Sequence, residues 1–300
     1  MSAPLLMACA ALLFALMAAC VKLASERYGA GEIVMYRSLV GVALMGALLR
    51  WHRRSLATPV PMMHFWRSGT GITALTLWFH SIGGLPLATA TTLNYMSSVW
   101  IALFLIGGSA LSAPPRQAID GRLVAAVLAG FAGVALVLRP TIDREQAWYG
   151  ITGLLSGLMA AMAYLQVTAL GRVGEPEERV VFYFSLGGVL VGAALALAGD
   201  GFHAHSAGGL ALLFAIGVLA AAAQWMMTRA YARGATLGNA ALNYLGIAFA
   251  FLFGVWWFDD PVTWMAIAGM VLIVGAGVAA TLLRARSPTR SGTPATEYRE

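Results

Sequence analysis

The chain reads as an all-α membrane protein of ten transmembrane helices, an inverted repeat of five plus five with both termini in the cytoplasm. Three observations predict this. Of its 300 residues 60% are hydrophobic and only 11% charged, whereas soluble chains are roughly a quarter charged. Apolar runs long enough to cross a bilayer core, about 20 residues each, recur from end to end. The sequence also contains itself twice. "LNY" at 93–95 returns at 242–244, "VMYRSLVGV" at 34–42 lines up with "VFYFSLGGV" at 181–189, and "AGVALVL" at 132–138 with "AGVAATL" at 276–282.

The first span, 4–24, ends near "ALMAAC", which resembles a leader, but no Lys or Arg precedes it, and a signal peptide needs that charge. Cys9 and Cys20 are the only cysteines. They share a helix face about 16 Å apart, too far to bridge, so they are packing residues. The second span, 31–49, carries Arg37 about 9 Å below its outer end. Snorkelling to the surface is the favoured reading, with a substrate carboxylate as the alternative partner for its forked guanidinium. The third span, 65–84, brings Trp78 and His80 near its outer end. The fourth, 89–109, holds Asn94, Tyr95 and Trp100, and the fifth covers 121–138.

The sixth span, 149–170, and the seventh, 179–199, contain "GLLSG" (153–157) and "GVLVG" (188–192). Such small-xxx-small faces let helices approach closely. Tyr164 lies in the sixth and Gln224 in the eighth, 208–231. The ninth, 238–257, repeats the polar pair as Asn243 and Tyr244, and the tenth is 261–283. Trp51, Trp66, Trp148, Trp256, Trp257 and Trp264 fall at span ends, the depth of an aromatic belt. The halves are then 1–145 and 146–283, followed by a polar cytoplasmic tail, 284–300, of disordered composition.

The net charge of +6 would suggest nucleic acid in a soluble protein, but here it reports orientation. With the N-terminus inside, fourteen arginines (Arg67 among them) fall at cytoplasmic positions. Five basic residues fall outside: Lys22, Arg27, Arg37, Arg139 and Arg144. The positive-inside rule then places both termini in the cytoplasm of a bacterial-type inner membrane. Five spans per half force the second half to enter upside down, the architecture of many secondary transporters.

These residues resemble the EamA-type carriers of the drug/metabolite transporter superfamily over residues 4–283. The similarity is densest in "RAYARGATLGNAALNYLGIAFAFLFGVWWFDDPVTWMAIAGMVLIVGAGV" and at Arg37 in "MYRSL". The family's usual prolines in the fourth and ninth helices are absent, Ser98 standing near the first of these places. The acid usual after the fourth helix is missing as well, while Asp259 and Asp260 follow the ninth. The resemblance implies a transporter, most like the exporters of aromatic and other neutral amino acids.

Polar groups inside a span are costly, so they face a cavity or each other. Trp78, His80, Asn94, Tyr95, Trp100, Tyr164, Gln224, Asn243 and Tyr244 are the candidate substrate contacts. Their competing roles are ordinary ones: an interfacial histidine, interhelical asparagine glue, belt and core aromatics. All thirteen carboxylate residues lie in loops, at span ends or in the tail. An intramembrane Asp or Glu, the common proton relay, is therefore missing. Facilitated export of a neutral amino acid or similar metabolite by alternating access is the expectation, with proton coupling through His80 as the alternative. Arg37 is the one basic group read as lying well inside a span, which argues against phosphorylated substrates. A membrane enzyme or a structural bundle are the other classes. The first lacks an acid/base pair or metal-ligand cluster of workable spacing. The second gives no reason for the repeat. No cofactor, metal or nucleic acid is expected, and a monomer in the lipid bilayer suffices.

Overall fold

The computed structural model describes residues 2–97, 99–101, 103–104, 121–138, 144–199, 201–232 and 244–286. In chain order the helices are α1 (Ala3–Ser25), α2 (Ala30–Trp51), α3 (Pro61–Gly84), α4 (Leu87–Tyr95) and α5 (Gly121–Leu138). They continue with α6 (Arg144–Arg172), α7 (Glu177–Ala198), α8 (Ala207–Ala232), α9 (Leu245–Phe258) and α10 (Trp264–Arg286). The described residues contain no strand.

Five of the helices, α1, α2, α6, α7 and α8, are long and apolar enough to cross a membrane, and α5, α9 and α10 contain shorter apolar stretches. The polar content of α3 and α4 has a structural cause. α3 buries His64, Arg67, Thr70 and Ser81, and α4 buries Thr89, Thr91, Thr92 and Asn94. Their polar side chains turn inward, where protein rather than lipid must satisfy them.

The helices pair in a pattern with an internal exchange. α2 packs on α7, α4 on α9 and α5 on α10. α1 packs on α8 as α6 does on α3, α1 on α9 as α6 on α4, and α2 on α8 as α7 on α3. Swapping every helix for the one five places away leaves this set unchanged. Side chains follow the same exchange where α2 crosses α7. A Cβ built on Gly188 would collide with Ser38, and one on Gly41 would fall 2.5 Å from Ser185 Oγ. The helix starts do likewise. Glu32 of α2 takes His203 Nδ1 at 2.9 Å from the α7–α8 connection. Glu178 of α7 takes His52 Nδ1 at 3.1 Å and Arg54 Nη1 at 3.0 Å from the α2–α3 connection.

Both small-residue stretches sit where helices touch. A Cβ on Gly157 would lie 2.6 Å from the Leu93 carbonyl oxygen, and one on Gly153 2.6 Å from Ser81 Oγ. One on Gly192 would lie 2.6 Å from the backbone nitrogen of Met35 and 2.8 Å from the Gly31 oxygen. Backbone cannot step aside as a side chain can. Gly192→Ala is therefore expected to destabilise the protein by about 1–3 kcal/mol through overpacking, read as a lowered melting temperature in detergent. Gly208→Ala, with nothing within 4 Å of its Cβ position, should hold stability or raise it slightly, since alanine suits a helix better than glycine.

The tryptophans divide by depth. Trp51, Trp66, Trp148, Trp256, Trp257 and Trp264 are all exposed near helix ends, whereas Trp78 is buried. Both cysteines are free.

Several boundaries differ from those the sequence predicts. The fourth span, expected to be continuous over 89–109, stops at Tyr95; the chain turns at Met96 before helical residues resume at Ser97. Of the ninth span, expected from 238, residues 238–243 lie outside the described residues, and the helix is described from Leu245, with Tyr244 at its N-cap. The tenth runs to Arg286, past the border drawn at 283. Residues 287–300 of the tail lie outside the described residues.

Candidate functional site

α1, α2, α3, α4, α6, α7 and α8 converge on a cavity of about 60 Å³. Its wall is built from residues on different helices. α2 contributes Arg37, α3 contributes Arg67, Gly71 and Trp78, and α4 adds Asn94 and Tyr95. Tyr164 comes from α6, Phe184 from α7 and Gln224 from α8.

Trp78, Asn94, Tyr95, Tyr164, Gln224 and Arg37, singled out from sequence, thus meet on one cavity. Asn94 is fixed by a short chain of hydrogen bonds. Its Nδ2 donates to Ser156 Oγ at 3.0 Å, and that hydroxyl donates to the Gly153 carbonyl at 2.6 Å. The chain holds the side chain at the end of α4, where the helix breaks. Irregular backbone inside a membrane protein is tolerated where it lines a cavity. Gln224 Oε1 and Trp78 Nε1 are buried without a hydrogen-bond partner.

The other candidates lie elsewhere. His80, two residues after Trp78 and so on another face of α3, packs its ring 4.8 Å from Tyr149. Trp100 packs edge-on against Phe131 at 5.1 Å. Tyr244 sits behind the wall, its ring 6.3 Å from Tyr95, in a small cluster with Ile247. The tyrosines of the two LNY motifs therefore meet, one on the cavity and one in its support. Asn243 lies outside the described residues.

Arg37 does not snorkel. It is 3% exposed and lines the cavity. Arg67, read from sequence as a cytoplasmic arginine, is 4% exposed on the same wall. The reading failed because α3 starts at Pro61 rather than 65, which carries Arg67 more than a turn into the helix. The low apolarity of 61–70 hid that start. The two guanidiniums share one ring: Arg37 Cζ lies 5.4 Å and Arg67 Cζ 4.3 Å from the centroid of Phe184. Phe184 is the repeat counterpart of Arg37 in the alignment of "VMYRSLVGV" with "VFYFSLGGV". No carboxylate lines the cavity, and among the described residues neither arginine has an ion-pair partner within 4.0 Å. Nε of Arg37, and Nε and Nη1 of Arg67, are buried without a hydrogen-bond acceptor. Gly71, one turn along α3, makes the room: a Cβ there would collide with Arg67 Nη1.

At one end of the bundle, Asp260 joins three elements. Its Oδ1 accepts from Lys22 Nζ of α1 at 2.7 Å, and its Oδ2 from the Leu87 N–H that opens α4 at 2.6 Å. Asp259, the C-cap of α9, adopts φ 50° and ψ 35°. That left-handed turn, which Asp tolerates better than most residues, folds the chain back so that Asp260 faces the bundle.

No protein-family model matches the chain. It is 33% identical over 281 residues to the pseudopaline exporter CntI of Pseudomonas aeruginosa, with 93% of this chain and 95% of that one covered. An uncharacterized transporter of Helicobacter pylori is 24% identical, covering 89% of this chain and 90% of its own length. A riboflavin transporter of Rhizobium johnstonii is 29% identical over 178 residues, 59% of this chain and 56% of that one. A solved crystal structure shares the fold with a TM-score of 0.65 at 20% identity, covering 95% of this chain and 99% of its own.

Proposed function

Because the chain belongs to the transporter family that includes the pseudopaline exporter CntI, we propose that it exports amino acids or similar small metabolites across the bacterial inner membrane by alternating access. The observation that carries this is the buried polar cavity where α1–α4 and α6–α8 meet. Under this reading the halves 1–145 and 146–283 are inverted EamA-type repeats, N-in and C-in. The exchange-symmetric helix pairing supports it, as does the break of α4 beside the site. The chain performs no catalytic step in this scheme. Substrate binds among the aromatic and amide groups of the wall, and the two halves rock about it.

No acidic side chain lines the cavity, which supports facilitated diffusion. His80 sits behind Trp78, against Tyr149 rather than on the wall, so it is poorly placed to relay a proton through the site. Protein reconstituted in liposomes should move labelled amino acids down their gradient with no imposed pH gradient. His80→Ala should keep that rate within about twofold, since a partner off the wall contributes little to binding. Uphill accumulation driven by a pH gradient alone, and lost in His80→Ala, would replace facilitation with coupling through His80.

The sequence-based argument against phosphorylated substrates rested on Arg37 being the one basic group well inside a span. Arg67 beside it removes that premise and reopens the substrate class.

A further inference from the structure

The geometry points to a two-arginine anion site in the central cavity, which selects small substrates carrying two carboxylates over neutral zwitterions. This rests on the transporter reading above and names its substrate class. Arg37 of α2 and Arg67 of α3 converge on the ring of Phe184, at 5.4 and 4.3 Å. Both are at least 96% buried, since they retain only 3% and 4% of their exposure. A guanidinium deep in a membrane protein ordinarily meets a carboxylate or a ring of carbonyls. Here three of the guanidinium nitrogens are buried with no acceptor among the described residues, and none of the residues that line the cavity is an acid. Among the described residues, nothing neutralises these two positive charges.

A neutral amino acid fits that charge poorly. Its carboxylate would satisfy one guanidinium, but its ammonium would sit in the same small cavity beside the second, with no protein carboxylate to receive it. A substrate with two carboxylates meets both forks, each through paired N–H···O bonds of the kind arginine favours. Phe184 holds both guanidiniums by cation–π contact, which uses none of their N–H donors. Asn94, Tyr95, Tyr164 and Gln224 then offer donors and acceptors for the rest of the molecule, an amino group included. Phosphate offers its charge to the same two forks, and competition experiments separate it from a dicarboxylate.

The test uses purified full-length protein in liposomes and a matched pair of probes. Labelled glutamate carries two carboxylates, and glutamine is its near-isostere with one. Counterflow into wild-type vesicles should favour glutamate at least tenfold, the scale of one charge-assisted hydrogen-bonded pair. Excess succinate should compete, and inorganic phosphate should not. A valinomycin-imposed potential, positive inside, should speed glutamate uptake because the substrate carries net negative charge. Arg67→Gln should bring the glutamate-to-glutamine ratio close to one, and Arg67→Lys should restore part of it. The ratio is internal to each preparation, so a poorly folding variant does not mimic the result. A wild-type ratio near one alongside active transport of phenylalanine or glutamine would overturn the anion site and leave the transporter standing. Competition by phosphate equal to that by succinate would overturn the dicarboxylate assignment. Vesicles that move none of these probes would overturn the inference, and if they also fail with riboflavin and a panel of neutral amino acids the transporter reading falls with it.

Discussion

Asp260→Asn is expected to open one end of the bundle and to raise access to the central cavity from that side. Asp260 is the point at which α1, the start of α4 and the α9–α10 connection are joined, through Lys22 at 2.7 Å and the Leu87 N–H at 2.6 Å. The side chains of Lys22 and Asp260 are only 18% and 12% exposed. Breaking a fully buried pair costs about 3–5 kcal/mol. Partial exposure at this end reduces that to ~1–2 kcal/mol, because solvent screens the pair. On a two-state equilibrium this is roughly a five- to thirtyfold shift of population. The amide keeps an acceptor for Leu87 but loses the ion pair, so the change acts on the join between α1 and α9–α10 rather than on the fold of either helix. The measurement is labelling of a cysteine placed at Ala74 on the cavity wall, in a chain whose Cys9 and Cys20 are serine, by a membrane-impermeant maleimide. Labelling should rise by that factor in Asp260→Asn and fall back in Asp260→Glu. An unchanged rate would mean that this contact holds the end shut in neither conformation.

How much of this was legible in the sequence depends on which forces leave a local trace. Long apolar helices do, because hydrophobicity must persist over a whole span, and apart from the fourth the described helices lie where the sequence places them to within a few residues. Glycine pairs do as well: "GLLSG" and "GVLVG" both lie at the predicted close contacts. The break after Tyr95 leaves no such trace. Neither proline nor glycine marks it; the backbone turn sits where Gly157 brings α6 against the Leu93 carbonyl, a contact between residues far apart in sequence. Arg67 was missed for a related reason. A polar helix start looks like a loop to any argument from hydropathy, and only the tertiary packing of α3 shows that the polar face points inward. Its signal was nonetheless present. Arg67 and Gly71 stand four apart, a large charged residue beside the one residue type that leaves it room. His80 shows the converse error. Its type suggested chemistry, but two residues of α3 turn it about 200° away from Trp78 and put it against Tyr149.

Gly71→Ala should separate function from stability. A Cβ at this position would collide with Arg67 Nη1 and lie 3.0 Å from Phe184 Cε2. Unlike the backbone facing Gly192, the first obstacle is the far end of a flexible side chain, which can swing away. The helix itself gains from the exchange, because alanine is about 0.5–1 kcal/mol more favourable than glycine within a helix. The melting temperature is therefore expected to hold or to rise slightly. The guanidinium, however, must leave its seat over Phe184. Moving one charged donor pair out of register removes an interaction worth about 1.5–3 kcal/mol to a carboxylate, so transport at low substrate concentration should fall at least tenfold. Gly69→Ala, with nothing within 4 Å of its Cβ, is the matched control on the same helix and should transport normally. If Gly71→Ala transports like Gly69→Ala, the position of Arg67 over Phe184 has no bearing on substrate. If it melts as early as Gly192→Ala, the seat is structural, and the glycine serves packing rather than the cavity.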